Sequence, residues 1–306
     1  MSPRGSSRRG GTRTATDRSG DAAARPLRTI LIVGGAGRMG RLLARSFRDA
    51  GRSVAIHDPR GRLAGFPSVS LETAATADAV VVSTSLEATP AVLADVLALS
   101  PPGLVLDVAS VKGPILPLYA RAARRGLAVA SVHPMFGPGV RALAGQNLVV
   151  CDAGVPAATR AAVRLFSGHG LKVATLPIGA HDAWVARTLG LAHLLSLLAG
   201  STLAREGVKV KSLDGLASTS FRNLCLLAAP ILHQAPDLTL PIQALNPATP
   251  ALFALLAEEL ASWRALVEAN DLAAFGRKLE EARAVLAAPV SAAARRRPPR
   301  RPSRRA

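Results

Sequence analysis

Three short stretches carry residue types and spacings suited to redox chemistry on a small molecule. The first is His133-Pro134-Met135-Phe136-Gly137-Pro138, a histidine followed at once by a loop stiffened by two prolines. An imidazole titrates near neutrality, so a fixed one can take a hydroxyl proton while hydride leaves the same carbon. The second, Asp107-Val108-Ala109-Ser110-Val111-Lys112-Gly113, groups an acid, a hydroxyl and an ammonium in one loop. The third is Gly35-x-Gly37-x-x-Gly40, with Asp58 following 18 residues after Gly40.

Between a strand and a helix, the glycine spacing suits a dinucleotide. Gly35 permits the tight turn, Gly37 lets the backbone approach the pyrophosphate, and Gly40 lets helix and strand pack closely. Ala36, Arg38 and Met39 complete the turn, and the free N–H groups of the helix start face the phosphates. Asp58 closes the second strand, where a carboxylate accepts hydrogen bonds from ribose hydroxyls and repels a 2′-phosphate. NAD is therefore expected over NADP, with Arg60 and Arg62 pulling the other way. Ser83 and Ser85 end the next strand, where they either touch the cofactor or supply plain loop polarity. No metal is expected.

For these residues to meet, strands must end beside them. Short apolar, β-branched runs at 29–33, 53–57, 79–83, 104–108, 127–132, 147–151 and 172–176 predict strands, several of them buried on both faces. Helical spacing falls between them after Gly37, at 88–98 and at 156–168. This alternation predicts an α/β fold, with a Rossmann-type doubly wound N-terminal domain over 29–178. From residue 179 to 288 only helical patterns remain, at 182–206, 211–234 and 249–287, predicting an all-helical C-terminal domain. A ligand site belongs beyond the carboxyl ends of the parallel strands. Both the His133 and the Asp107–Gly113 stretches lie there.

The net charge of +18 over 306 residues invites a nucleic-acid reading, but it is unevenly spread. Residues 1–28 hold seven arginines against two aspartates, and residues 289–306 hold seven arginines and no acid. Both ends lack apolar periodicity and are expected to be disordered basic tails with no specific nucleic-acid partner. Two distant cysteines make no disulfide framework, and no secretory signal pattern is present, so a reducing cytoplasm is expected. The apolar stretch 189–203 is interrupted by Gly190, His193 and Ser196 and reads as a buried helix, too short and polar for a membrane. Its width suggests burial against a second subunit.

Taken together, the glycine turn with Met39, the Asp107–Lys112 loop and the His133–Pro138 loop resemble the prephenate dehydrogenases of tyrosine biosynthesis, over roughly residues 29–286. The resemblance implies NAD-dependent oxidative decarboxylation of prephenate to 4-hydroxyphenylpyruvate, with His133 catalytic and Ser110 orienting it and the substrate. It implies that Lys112 is the conserved lysine of its loop. It also implies that Arg222 grips the side-chain carboxylate of a substrate carrying two, and that His193 lies near the ring carboxylate. The bland alternatives are a surface arginine for Arg222 and a satisfied core histidine for His193. The His181-Asp182 pair opening the first helix of this half also resembles the family, with Asp182 reading as a helix-start residue and not a ligand. Where many relatives have Ser-His-Leu-Pro-His, this chain reads Leu189-Gly190-Leu191-Ala192-His193. The resemblance further implies a homodimer through the helical half. Arogenate and 4-amino-4-deoxyprephenate are alternative substrates. A β-hydroxyacid dehydrogenase or imine reductase is a rival enzyme, and a noncatalytic nucleotide-fold protein binding polyanions through its tails is a rival of another class.

Overall fold

Thr29–Val33 forms β1, whose last four residues are buried on both faces, as a continuous Ile-Leu-Ile-Val run requires. The computed structural model describes residues 27–213 and 215–286, so the arginine-rich ends, apart from Leu27 and Arg28, lie outside the described residues. After β1 come α1 (Arg38–Asp49), β2 (Ser53–His57), β3 (Ala79–Val82), α2 (Thr89–Ala98) and β4 (Leu104–Asp107). The four strands form a parallel sheet in the order β2-β1-β3-β4, with Ile30 facing Val54 on one side and Ala79 on the other. A chain with 3% aromatic residues fills this core mainly with Leu, Val, Ile and Ala. The Phe47 ring meets Phe166 at 5.4 Å.

Beyond β4 follow α3 (Leu116–Arg124), β5 (Ser131–Pro134), β6 (Asn147–Asp152), α4 (Pro156–Ser167) and β7 (Lys172–Pro177). These strands form a second, three-stranded sheet in which β5 runs antiparallel to β6 while β6 and β7 are parallel. The fold class is the expected one, but the alternation does not continue as one sheet: β4 meets the segment before β5 through the isolated Val105–Val129 bridge and not a ladder. Between β5 and β6 no helix forms. A parallel neighbour needs a crossover, and without one the chain returns antiparallel. Backbone bonds from Val105 to Ala128 (2.8 Å) and from Ala130 to Val105 (3.1 Å) stitch the two sheets together. The strand expected at 127–132 is displaced: Val129 makes only an isolated bridge, and His133 lies inside β5, opposite Val149.

From residue 178 to residue 286 the described chain forms helices only. α5 (His181–Val185), a π-helical turn (Ala186–Gly190) and α6 (Leu191–Arg205) run on without a break. α7 (Thr219–Leu232) starts at Ser218, whose hydroxyl accepts the Phe221 N–H at 3.1 Å, and it packs along α6. α8 (Pro236–Ala244) has no counterpart in the sequence pattern, because Pro236 and Pro241 read as breakers. The division between compact units falls after Thr249. The second unit pairs α9 (Thr249–Glu268) with α10 (Leu272–Leu286), Trp263 meeting Phe275 edge-on and Lys278 bridging to Glu259 at 2.9 Å.

The apolar stretch expected to be too short for a membrane is part of a 28-residue helical run, Ile178–Arg205, long and apolar enough to cross one by length and composition. The run also buries His181, Asp182, His193 and Ser196. Buried titratable groups of this kind are costly in hydrocarbon and mark functional positions.

Candidate active site

The glycine turn leaves β1 through Gly34, whose φ of +84° lies in the left-handed region, and a Cβ there would collide with the Ser83 carbonyl. The glycine spacing assigns the tight turn to Gly35. What Gly35 supplies instead is clearance from Ile56, whose side chain would stand 2.5 Å from an added Cβ. At Gly40 a Cβ would run into the backbone of Gly34 and Gly35, so α1 can pack on the turn only with glycine there. Gly37 starts α1 in an extended conformation, without a side-chain cap and without an acid in the first helical turn. An uncapped helix start of this kind is a ready anion site.

A cavity of about 560 Å³ opens in front of this turn, bounded by Gly34, Ala36, Gly37, Asp58 and Ser83 among others. Asp58 accepts the Ala36 N–H through Oδ2 at 3.0 Å and the Arg60 N–H through Oδ1 at 2.9 Å, so the carboxylate is held at the cavity rim. Ser83 is buried on the opposite wall, and its hydroxyl has no hydrogen-bond partner among the described residues. A clear approach to backbone, an uncapped helix start, an anchored carboxylate and an orphan hydroxyl together fit a dinucleotide. Gly35 and Gly40 shape the turn from behind. Neither Arg38 nor Met39 lines the cavity, and Met39 packs against the core instead.

A buried polar cluster lies at the end of β4. The Lys112 ammonium, with no exposure at all, donates to Asp107 Oδ1 (2.8 Å), the Ala109 carbonyl (2.7 Å) and the Val132 carbonyl (2.8 Å). Asp107 Oδ2 in turn accepts from Tyr119 (2.7 Å) and Ser131 (2.6 Å), and burial pushes the Tyr119 phenol well up, with the Asp107 charge adding to it. Lys112 is thus a structural cation. It joins the end of β4 to the residue just before His133.

His133 is 3% exposed, and its Nδ1 lies 3.0 Å from Nε2 of His181. His181 Nδ1 lies 2.7 Å from Oδ1 of Asp182. Asp182 also accepts the backbone N–H groups of Lys112 (2.8 Å) and Gly113 (2.7 Å). Burial, helped by the Lys112 charge and by His181, holds the His133 imidazole well below its ordinary value of 6.5, so it stays neutral. Burial also lowers His181, against the opposing pull of Asp182. For Asp182, burial raises the carboxyl, but the His181, Lys112 and Gly113 hydrogen bonds outweigh it and the net shift is downward.

The other expected residues are less tightly gathered. Ser110 is half-buried and makes no hydrogen bond among the described residues, so the Nδ1 partner of His133 is His181 and not this serine. His193, on α6, is 3% exposed with its Nδ1 unpartnered, and burial lowers its imidazole. Arg222 is exposed in the first turn of α7, and its guanidinium has no hydrogen bond or ion pair among the described residues. None of these three, nor His133, lines the dinucleotide cavity. The His181-Asp182 pair stands out in the sequence as part of the family resemblance, but nothing local to it gives His181 a place beside His133. Among the described residues no group of three or more His, Cys, Asp or Glu could hold a metal.

Comparison with known proteins gives a consistent picture. The sequence profile of the prephenate dehydrogenase nucleotide-binding domain matches residues 59–153. The chain is 31% identical to a 4-amino-4-deoxyprephenate dehydrogenase from Streptomyces pristinaespiralis, covering 84% of this chain and 90% of that protein. It is 29% identical to the T-protein of Enterobacter agglomerans over 81% of this chain, and spans 65% of that relative's length. Its fold is similar to that of prephenate dehydrogenase from Aquifex aeolicus, solved with hydroxyphenyl propionate and NAD+. The TM-score is 0.69 at 17% identity, over 86% of this chain and 98% of the other.

The glycine geometry makes a direct prediction. Gly40→Ala places a methyl against immovable backbone, so α1 must shift from the turn at a cost of about 1–3 kcal/mol. Dinucleotide affinity, read by calorimetric titration, should fall by roughly 10-fold or more on the same scale. An unchanged dissociation constant would mean that this turn does not hold the dinucleotide.

Proposed function

Because the chain belongs to the prephenate dehydrogenase family, we propose that it oxidises prephenate with NAD, releasing carbon dioxide and 4-hydroxyphenylpyruvate. The observation that carries this reading is His133: buried, neutral, held at Nδ1, and with no hydrogen bond to Nε2 among the described residues. That is the state required of a group about to accept a hydroxyl proton. Bound NAD would supply the hydride acceptor. The Gly34–Gly40 turn and the α1 N-terminus would hold its pyrophosphate, Asp58 its ribose hydroxyls, and Ser83 would contribute its orphan hydroxyl. Asp58 at the rim disfavours a 2′-phosphate, which supports NAD over NADP.

As hydride leaves ring C4 of prephenate, His133 Nε2 takes the C4 hydroxyl proton. The resulting ketone loses the C1 carboxylate as carbon dioxide, and the ring becomes aromatic. Aromatisation makes the reaction effectively irreversible. His193 suits the ring carboxylate, because a satisfied core histidine would have a partner for its buried Nδ1. Arg222, exposed with an unpaired guanidinium, suits the side-chain carboxylate through a planar two-point contact. Ser110, in the loop after β4, remains the residue proposed to contact the substrate hydroxyl.

A second reading is oxidation of 4-amino-4-deoxyprephenate, favoured by the 31% identity and 90% coverage of the Streptomyces relative. Arogenate differs only in the side chain and would use the same ring chemistry. With an amine at C4, the nitrogen lone pair drives hydride departure once the amine is neutral, so the base matters less in that step. The helical half also supports a homodimer, for Leu226 and Leu240 are 73% and 68% exposed. A cytoplasmic enzyme of this kind should sediment as a dimer, and a monomer at micromolar concentration would end that part of the reading.

Turnover should be followed by reduced-cofactor absorbance with prephenate, arogenate and the 4-amino compound in parallel. Prephenate is expected to give the highest kcat/KM, and failure with all three would remove the proposed function. His133→Asn should lower kcat with prephenate by at least about 100-fold while NAD affinity is retained. The acid limb of the wild-type profile should lie below pH 6.5, since the base stays neutral down to its depressed value.

Arg222→Ala should raise KM by roughly 10-fold or more, in line with loss of a charge-assisted contact of about 1.5–3 kcal/mol. An unaltered KM would take Arg222 out of the site.

A further inference from the structure

We propose that His181 and Asp182 are positioning residues for the proton acceptor, fixing His133 through two consecutive hydrogen bonds in the tautomer whose Nε2 carries the lone pair. The inference rests on the reading of His133 as the base, and it adds the device that makes the correct nitrogen basic.

The chain of constraint starts at a carboxylate. Asp182 Oδ1 faces the Lys112 backbone N–H at 2.8 Å, and Oδ2 faces that of Gly113 at 2.7 Å. A backbone N–H can only donate, so both oxygens act as acceptors. His181 Nδ1, 2.7 Å from Oδ1, must therefore carry its proton. In neutral imidazole one ring nitrogen donates and the other accepts. Nε2 of His181 is then bare, and His133 Nδ1, 3.0 Å away, has to donate to it. Neutral His133 is left with its lone pair on Nε2, the nitrogen without a protein partner among the described residues. Each link has only one chemically consistent direction.

The geometry of the chain is rigid as well as directional. His181 is fully buried and Asp182 nearly so. Asn246 donates through Nδ2 to the Asp182 carbonyl at 3.0 Å, holding that residue from the backbone side. The carboxylate is thus anchored by groups from two separate segments, the 112–113 loop and the turn before α9. An acid standing behind an imidazole, setting its tautomer and stabilising the cation that forms, is a known way to prepare a base. Here a second imidazole lies between the acid and the base. When a substrate O–H bond breaks and the Nε2–H bond forms, the charge on His133 is shared through Nδ1–H and His181 toward Asp182.

A tautomer can be read without turnover. Histidine labelled with ¹⁵N in the full-length protein, examined by long-range ¹⁵N–¹H NMR with the His133→Asn spectrum for assignment, should show His133 and His181 both protonated at Nδ1. Predominant Nε2 protonation of His133 would overturn the proposal, and this measurement needs no variant of the relay to fold. Asp182→Asn removes the charge that holds the proton on His181 Nδ1 and offers one amide oxygen to three donors, so the population of His133 protonated at Nδ1 should fall. The same variant should lower kcat by roughly 100-fold, with KM and NAD affinity little changed, and Asp182→Glu should recover part of the loss. A shift in tautomer accompanied by that loss supports the relay; an unchanged tautomer with unchanged kcat ends it. Failure of the wild-type enzyme on all three substrates would instead end the proposed function, leaving the tautomer result standing.

Discussion

A fully buried ammonium, that of Lys112, is the interaction on which the site depends. Removing such a cation from water costs several kcal/mol, which is offset only when every donor is used. Lys112 has three donors and three acceptors, at Asp107, Ala109 and Val132. Asp107 is matched from the other side by Tyr119, Ser131 and the Ala109 N–H. The consequence is geometric. One side chain ties the end of the parallel sheet to the residue before His133, while the backbone N–H of the same lysine grips Asp182. Three segments distant in sequence therefore move as one body around the imidazole.

The parts of this arrangement that were legible in the sequence are those encoded locally. Strands buried on both faces must be apolar throughout, so 29–33 and 104–107 announce themselves. The glycine turn could be read because three glycines, a preceding strand and Asp58 lie within one βαβ unit. Its detailed geometry was less accessible: the left-handed residue is Gly34, one position earlier than expected, because the Ser83 carbonyl of a neighbouring strand crowds that point. Only a residue brought in by the sheet imposes that constraint. Residues near the turn in sequence need not touch the cavity either, and Met39 faces the core because α1 has only one outward side there.

What could not be read is long-range pairing. His133 looked like a strand-end residue and lies inside β5, since nothing local in 135–146 states that the next strand returns antiparallel. A lysine is ordinarily exposed, so composition gives no hint that Lys112 is buried without remainder. His181 stands 48 residues from the ring it contacts. Its neighbour Asp182 does occupy the first turn of α5, as a helix-start residue would, yet its carboxylate is committed to the 112–113 loop and to His181. A residue can satisfy a local preference and a distant one together, and the local one alone shows in the sequence.

The two halves of the proposed chemistry come from different sheets. Every residue lining the dinucleotide cavity falls between Val33 and Asp95, within or beside the parallel sheet. The acid–base group belongs to the mixed sheet and to α5, which joins it through His181. Among the described residues, the backbone stitch between the sheets is the short bridge at Val105 and Val129, reinforced by Lys112. On the proposed reading, cofactor grip and proton transfer would be built by separate local structures joined through one short, buried junction. Such an arrangement lets the glycine turn vary without disturbing the imidazole, while anything that loosens Lys112 or Asp182 disturbs the imidazole first. On the same reading, the helical half would add Arg222 and His193 to a base already oriented, so substrate choice could change on those helices without altering the proton-transfer machinery.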